Sequence, residues 1–219
     1  QPQAVRLTSE LPGRTSPRLI AEVRPQVGGI IQKRLFTEGT DVKAGQVLYQ
    51  IDPALYRAEV ARAEAALTRA MANVTSIRQR FERYRELVKI NAVSQQDYDD
   101  TSAALRQAEA EIEVAKAALQ TARINLDYTT VKAPISGRIG RSAVTDGALV
   151  TTGQAQPLAV IQQLDTIYVD VVQTTAELLN LKRNIDSGLL REGDRAKVDL
   201  LLEDGTAYPL AGELKFSEV

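Results

Sequence analysis

The chain has 219 residues, 44% hydrophobic, 25% charged and only 5% aromatic, with no Trp, which suits one to three soluble domains, globular or extended, without a large compact core. A formal net charge of −1 argues against bulk attraction to nucleic acid or anionic lipid. With neither Cys nor His, the chain cannot hold disulfides, thiolate nucleophiles, a Ser-His-Asp triad or imidazole metal ligands, and we expect no enzyme, no metal site and no cofactor.

In chain order, the first segment, "AVRLTSELPGR", reads as a strand, and we assign residues 1–19 to the region that closes the chain. Residues 20–52 follow, with alternating apolar positions and glycines that mark turns, the pattern of several short strands. Residues 53–126 then change period. From Tyr56 an apolar ladder runs through Val60, Ala63, Leu67, Ala70, Val74, Ile77, Phe81, Tyr84 and Val88, in steps of four and three. That heptad spacing predicts a helix of about 53–89, entered through Asp52 as N-cap and Pro53 at the first helical position. A second ladder, Tyr98, Thr101, Leu105, Ala108, Ile112, Ala115, Leu119, Ala122 and Leu126, predicts a helix of about 94–126, opened by a capping-box-like Ser94-Gln95-Gln96-Asp97.

The short connector between them forces antiparallel packing. One register serves the whole length. It sets Val88 against Tyr98, Phe81 against Leu105, Val74 against Ile112, Leu67 against Leu119 and Val60 against Leu126, with small layers of Ile77 on Ala108, Ala70 on Ala115 and Ala63 on Ala122 between them. Such an arm is on the order of 50 Å long at 1.5 Å per residue. Its core residues read as those of a coiled-coil spacer.

Residues 127–163 return to short strands, and they repeat 20–52. A shift of 108 residues lays Val23 on Val131, Val27 on Ile135, Ile31 on Ile139 and Val42 on Val150. It also lays Gly29, Gly39 and Gly45 on Gly137, Gly147 and Gly153. Glycine at matched places predicts positive φ or close backbone approach. A half of this length cannot bury its apolar face alone, so the two halves are expected to form one β domain split by the helical arm. From 164 a third region begins. It holds a strand at "IYVDVV" (167–172), a helix over 174–188 with Thr174 and Glu177 as a capping box, and a hairpin turning at Asp204-Gly205. The chain stops just after a strand-like run, so the natural protein is expected to continue.

The stretches "ELPGRTSPRLIAEVRPQVGGII", "EGTDVKAGQVLYQIDPALY", "ARINLDYTTVKAPISGRIGRSAVTDGALV" and "QQLDTIYVDVVQ" closely resemble the periplasmic adaptors, or membrane fusion proteins, of resistance–nodulation–division (RND) efflux pumps, of the AcrA/MexA type. The resemblance covers essentially the whole chain. It implies an elongated multidomain α+β protein: an antiparallel α-helical coiled-coil hairpin inserted in a split lipoyl-like β domain, followed by a partial β-barrel domain with one helix. It also implies an adaptor of a tripartite drug efflux pump, in the periplasm of a Gram-negative bacterium. Its partners would be an inner-membrane RND transporter, a TolC-type outer-membrane channel and further copies of itself in a ring, commonly six. Anchoring to the inner membrane would go through a lipid-modified N-terminus that this chain does not include.

The family's hairpin-tip motif, Arg, Leu four residues on and Ser seven beyond, is matched by Arg83, Leu87 and Ser94, so the resemblance places channel contact there. Leu87 lies off the buried ladder. Arg83 could make a charge-assisted bond of roughly 1.5–3 kcal/mol if desolvated. The plainer readings are that Ser94 is an N-cap, that Arg83 pairs with Glu82, Glu86 or Asp100, and that Leu87 folds over Val93. Two other functions compete. A lipoyl or biotinyl carrier needs a modified Lys on a tight turn between the halves, where this chain has its arm, and its one Met, Met71, is mid-helix. An adaptor of metal efflux or of another export system would share the same plan.

Overall fold

In a computed structural model the structure describes residues 10–172, 179, 183 and 197–213. The chain divides into two compact units, Thr15–Tyr168 and Gln1–Arg14 with Val169–Val219. The first is built from β1 (Gly13–Val23, which begins in the other unit), β2 (Gly29–Arg34), β3 (Asp41–Val42), β4 (Val47–Ile51), α1 (Ala54–Lys89), α2 (Gln95–Tyr128), β5 (Thr130–Lys132), β6 (Gly137–Ile139), β7 (Leu149–Val150) and most of β8 (Ala159–Val171). Strand β8 runs unbroken past position 164, where the sequence reading starts the third region.

Two four-stranded sheets make the β domain, in the orders β5-β4-β2-β7 and β1-β8-β6-β3. The 108-residue shift converts one into the other. It carries β3 onto β7 and β2 onto β6, while β4 meets the start of β8 and β5 meets the end of β1. Each sheet therefore takes its central strands from one half and its edge strands from the other. This is why neither half has a core without its partner.

The hydrogen bonds obey the same symmetry. The Ile31 amide donates to the Ala148 carbonyl at 2.9 Å and the Ile139 amide to Thr40 at 3.0 Å; Gly39 donates to Ile139 at 2.9 Å and Gly147 to Ile31 at 2.8 Å. Between the sheets lie Val23, Ile31, Val42, Leu48, Tyr49, Ile51, Val131, Ile139, Val150, Leu158 and Ile161, all buried. Burial of such side chains, at about 1.5–3 kcal/mol each, is the main favourable term. Tyr49 breaks the symmetry. Its ring meets Phe36 edge-on at 5.2 Å, and its buried hydroxyl lies 2.7 Å from the Ser142 hydroxyl and donates to the Leu158 carbonyl at 3.0 Å. Removal from water pushes its pKa up, against the lowering effect of the Ser142 bond.

In the second unit β9 (Lys197–Val198) pairs antiparallel with β10 (Gly212–Glu213). The turn at Asp204-Gly205 forms as the sequence predicts. Gly205 has φ +80°, and the Asp204 carboxylate accepts from the Thr206 amide and hydroxyl, the hydroxyl bond first among the causes that lower its pKa. The expected helix over 174–188 and the N-terminal strand up to residue 9 lie outside the described residues, except that Leu179 and Arg183 have helical backbone.

Candidate functional site: the helical arm and its tip

Strands β4 and β5 pair antiparallel, with Gln50 opposite Thr130 and Tyr49 opposite Val131. A tight turn would normally join such a pair; here the whole α1–α2 hairpin takes its place. The base is fastened on both sides. The Asp52 amide donates to the Ile30 carbonyl at 2.9 Å and the Ile51 amide to Thr129 at 2.8 Å. The Tyr56 hydroxyl donates to the Gly28 carbonyl at 2.7 Å. Thr129 is buried, and its hydroxyl donates to the Leu126 carbonyl at 2.7 Å, closing the end of α2.

One entry signal differs from expectation. The first non-helical residue before α1 is Pro53, which offers no side-chain cap. Asp52 still acts, one position further out, by accepting the Ala54 amide at 3.0 Å. Because Pro has no N–H to satisfy, the carboxylate serves the next free amide.

Helix α1 has 36 residues and α2 has 34, about 50 Å each at 1.5 Å per residue. The α1 positions beyond Pro53 that are shielded from solvent are 56, 60, 63, 67, 70, 74, 77, 81, 84 and 88. Those are the apolar ladder. On α2 the ladder positions from Tyr98 to Leu126 are shielded too, Tyr98, Leu105, Ile112, Ala115 and Leu126 only partly. Ala63, Leu119 and Ala122 form one buried cluster with Val60 and Leu67 against it. Arg78 bonds Glu109 at 2.7 Å and Arg123 bonds Glu64 at 2.9 Å. These four residues each follow a member of the Ile77–Ala108 and Ala63–Ala122 layers, so both ion pairs lie on one side of the seam. Near the tip the register reading needs an amendment. Tyr98 stacks on Phe81 with ring centroids 5.6 Å apart, one heptad from the Val88 expected opposite it. A knob in such a seam sits between layers of its partner, and a long aromatic ring gains more from another ring than from Val.

At the tip α1 ends with the Ile90 and Ala92 amides donating to the Leu87 carbonyl and the Asn91 amide to Val88. Asn91 makes the reversal in the left-handed region, φ 54°, a conformation Asn tolerates better than most residues. Ser94 caps α2: its hydroxyl oxygen accepts the Asp97 amide at 3.1 Å and the hydroxyl donates to the Asp97 carboxylate at 2.6 Å.

Arg83 does not take any of the surface partners considered for it. Glu86 is engaged by Lys89, at 2.9 Å to both oxygens, and by Arg85. The Lys89 hydrogen bond is the main reason its carboxyl is held below the ordinary range. Within the described residues Arg83 makes neither a hydrogen bond nor an ion pair. It shares a shallow hollow on the outer face of α1 with Gln79, Glu82, Glu86 and Leu87. Leu87 is 37% exposed there.

Arg83 and Leu87 thus share one face, one helical turn apart, while Ser94 lies across the connector at the start of α2. Sequence reasoning missed Ile90, which is 71% exposed beside Leu87; its place outside the ladder was the available signal. Among the described residues no group of three His, Cys, Asp or Glu could hold a metal ion, and no helix is long and apolar enough to cross a membrane.

Two family models match the chain: "RND MFP, barrel-sandwich hybrid domain" over residues 19–162 and "RND MFPs, beta-barrel domain" over 166–219. Among curated relatives, the chain is 58% identical over 219 residues to the multidrug resistance protein MexA of Pseudomonas aeruginosa, covering 99% of this chain and 54% of that protein. It is 56% identical over 221 residues to the toluene efflux pump periplasmic linker protein TtgA of Pseudomonas putida, covering 100% and 54%. The chain spans about half the length of the curated relatives it matches. Among solved structures, a MacA–MexA chimera carrying the Pseudomonas aeruginosa MexA α-hairpin aligns with a TM-score of 0.53 at 28% identity over 92% of this chain and 64% of that one. The membrane fusion protein Spr0693 of Streptococcus pneumoniae aligns with a TM-score of 0.68 at 20% identity over 93% and 83%, a likeness of fold.

Proposed function

The chain belongs to the membrane fusion proteins of RND efflux systems, and from that premise we propose that it is the periplasmic adaptor of a tripartite drug efflux pump. It links an inner-membrane RND transporter to a TolC-type outer-membrane channel through the tip of its arm. The relatives' names, multidrug and toluene efflux among them, support export of drugs and solvents. The observation that carries the tip assignment is the pairing of an unengaged cation with an exposed apolar side chain, Arg83 and Leu87, at the far end of a stiff arm. An apolar centre beside a charge able to bind a carbonyl or carboxylate is the composition of a small protein contact. Ser94 contributes by holding the start of α2 in place.

The protein works as a connector and performs no chemistry. One tip offers few contacts, so several copies in a ring, six in the assembled pump, gain avidity of about 10²–10⁴ over a single contact. The split β domains line a sealed duct, the barrel domain meets the transporter, and a lipid-modified N-terminus outside this chain anchors the full protein to the inner membrane.

The test is Arg83→Asp and Leu87→Asp in the full-length protein. Both should abolish drug resistance in cells and co-purification of the channel, with helicity and melting unchanged because both positions are exposed. Full resistance in both variants removes the tip assignment.

A further inference from the structure

We propose that Tyr56 and Gln50 are positioning residues, two side-chain struts that fix the direction in which the arm leaves the β domain, one bracing α1 and the other α2. The backbone passes between β domain and arm only twice, between β4 and α1 and between α2 and β5. Two single crossings define a line about which an arm can swing. What opposes the swing is bonding by side chains beside those crossings.

Tyr56 braces α1. Its ring packs against the β core. Its hydroxyl, in the first turn of the helix, donates to the carbonyl of Gly28, the residue before β2, at 2.7 Å.

Gln50 braces α2. It stands opposite Thr130 where β4 pairs with β5. Its side-chain nitrogen donates to the Ile51 carbonyl at 2.8 Å and the Thr129 carbonyl at 3.2 Å, and lies 3.3 Å from the Thr129 hydroxyl. Its side-chain oxygen accepts the Thr130 hydroxyl at 3.3 Å. One orientation of the amide serves all four, because the reverse would turn its oxygen onto two carbonyl oxygens. The Thr129 hydroxyl donates its own proton to the Leu126 carbonyl, so towards Gln50 it is an acceptor. The chain of bonds therefore runs from β4 into the last turn of α2.

A long arm magnifies a small angle. Over about 50 Å, a tilt of about 10° carries the tip roughly 9 Å, the full spacing of two packed helices. Arg83 and Leu87 would then meet the wrong part of a partner. Copies whose arms point in different directions would also lose the simultaneous engagement that gives avidity. This rests on the tip reading above and adds to it the residues that aim the tip.

None of these 219 residues is Cys, so Lys43→Cys on the β domain and Ala72→Cys on α1, both exposed, are direct sites for spin labels. Their distance distribution in the full-length protein, measured by double electron–electron resonance, reads the arm's direction. It should be narrow in the parent. Tyr56→Phe, which removes one oxygen, and Gln50→Leu should each broaden it, and the double variant should broaden it most. Loss of one hydrogen bond should raise the swung population roughly two- to tenfold, and co-purification of the channel should fall by a similar factor. Thr129→Val should broaden the distribution as well, whereas Thr129→Ser, which keeps the hydroxyl, should not. A label pair within the arm, Ala72→Cys with Ala110→Cys, both exposed, should keep its distance in every variant, because the seam is untouched.

A distribution unchanged in the double variant, one already broad in the parent, or a shift in the within-arm pair overturns the struts. Where the Arg83 and Leu87 variants lose the channel, full co-purification by a swinging arm overturns them too. Those tip variants judge the tip by themselves, and the label distances need no channel, so either reading can fail alone.

Discussion

Gly137 has no room for a methyl group. Its φ is +156°, and a Cβ built on it would run into the Gln162 carbonyl, part of the backbone and unable to yield. Its repeat partner Gly29, at φ +154°, would meet the Cγ2 methyl of the buried Ile51 at 2.6 Å, a side-chain atom with little room to move but not part of the backbone. Gly39 has positive φ but open space around it. Gly137→Ala should therefore cost more than the roughly 1–2 kcal/mol of a left-handed L-residue alone, Gly39→Ala should cost about that amount, and Gly29→Ala should fall between. Thermal melting of the three variants tests the order.

A second residue-level device escaped the sequence reading. Glu38 accepts the Ser142 amide at 2.9 Å and Asp146 accepts the Arg34 amide at 3.0 Å. These are one interaction written twice by the repeat. The sequence aligned Glu38 with Asp146, yet it could not say that each acid reaches across to the other half. That depends on which strands exchange.

At the scale of elements, the two helices were readable because their ladder has one period and one face. Apolar side chains every three or four residues have a single way to leave water together, and a short connector leaves a single partner. The layer pairing has a direct test. Ala63→Cys with Ala122→Cys should form a disulfide within one molecule, since both belong to the same buried cluster, whereas Ala63→Cys with Ala108→Cys should stay reduced. Reversal of that result would move the register by about two heptads. The Phe81–Tyr98 stack was not readable, because spacing fixes which residues face the seam and leaves open how far along it a long ring leans. The same holds for Pro53 in place of Asp52 at the start of α1, a matter of one position that local backbone geometry decides.

For the whole molecule, the arm and the β domain are separable by construction. The hairpin enters and leaves through the paired strands β4 and β5, while the domain's core closes through strand exchange between the halves. Replacing residues 52–128 by a two-residue Asn-Gly turn, suited to an antiparallel pair, should leave a folded β domain with cooperative melting. It should also remove the channel binding proposed for the tip. A molten product would show that the arm helps to hold the halves together.

Periodicity, repeat and charge were set by the order of residues alone. They determined two antiparallel helices, a domain in two matching halves, and a tip whose Arg83 and Leu87 stand off the buried ladder. Such features are local or repeat at fixed spacing, so the physics that reads them needs only neighbours along the chain. The exchange of edge strands, the reciprocal bonds of Glu38 and Asp146, the exposure of Ile90 and the freedom of Arg83 from Glu86 were decided only in the tertiary structure. Each depends on which distant groups compete for the same donor, acceptor or apolar surface, and that competition has no fixed spacing.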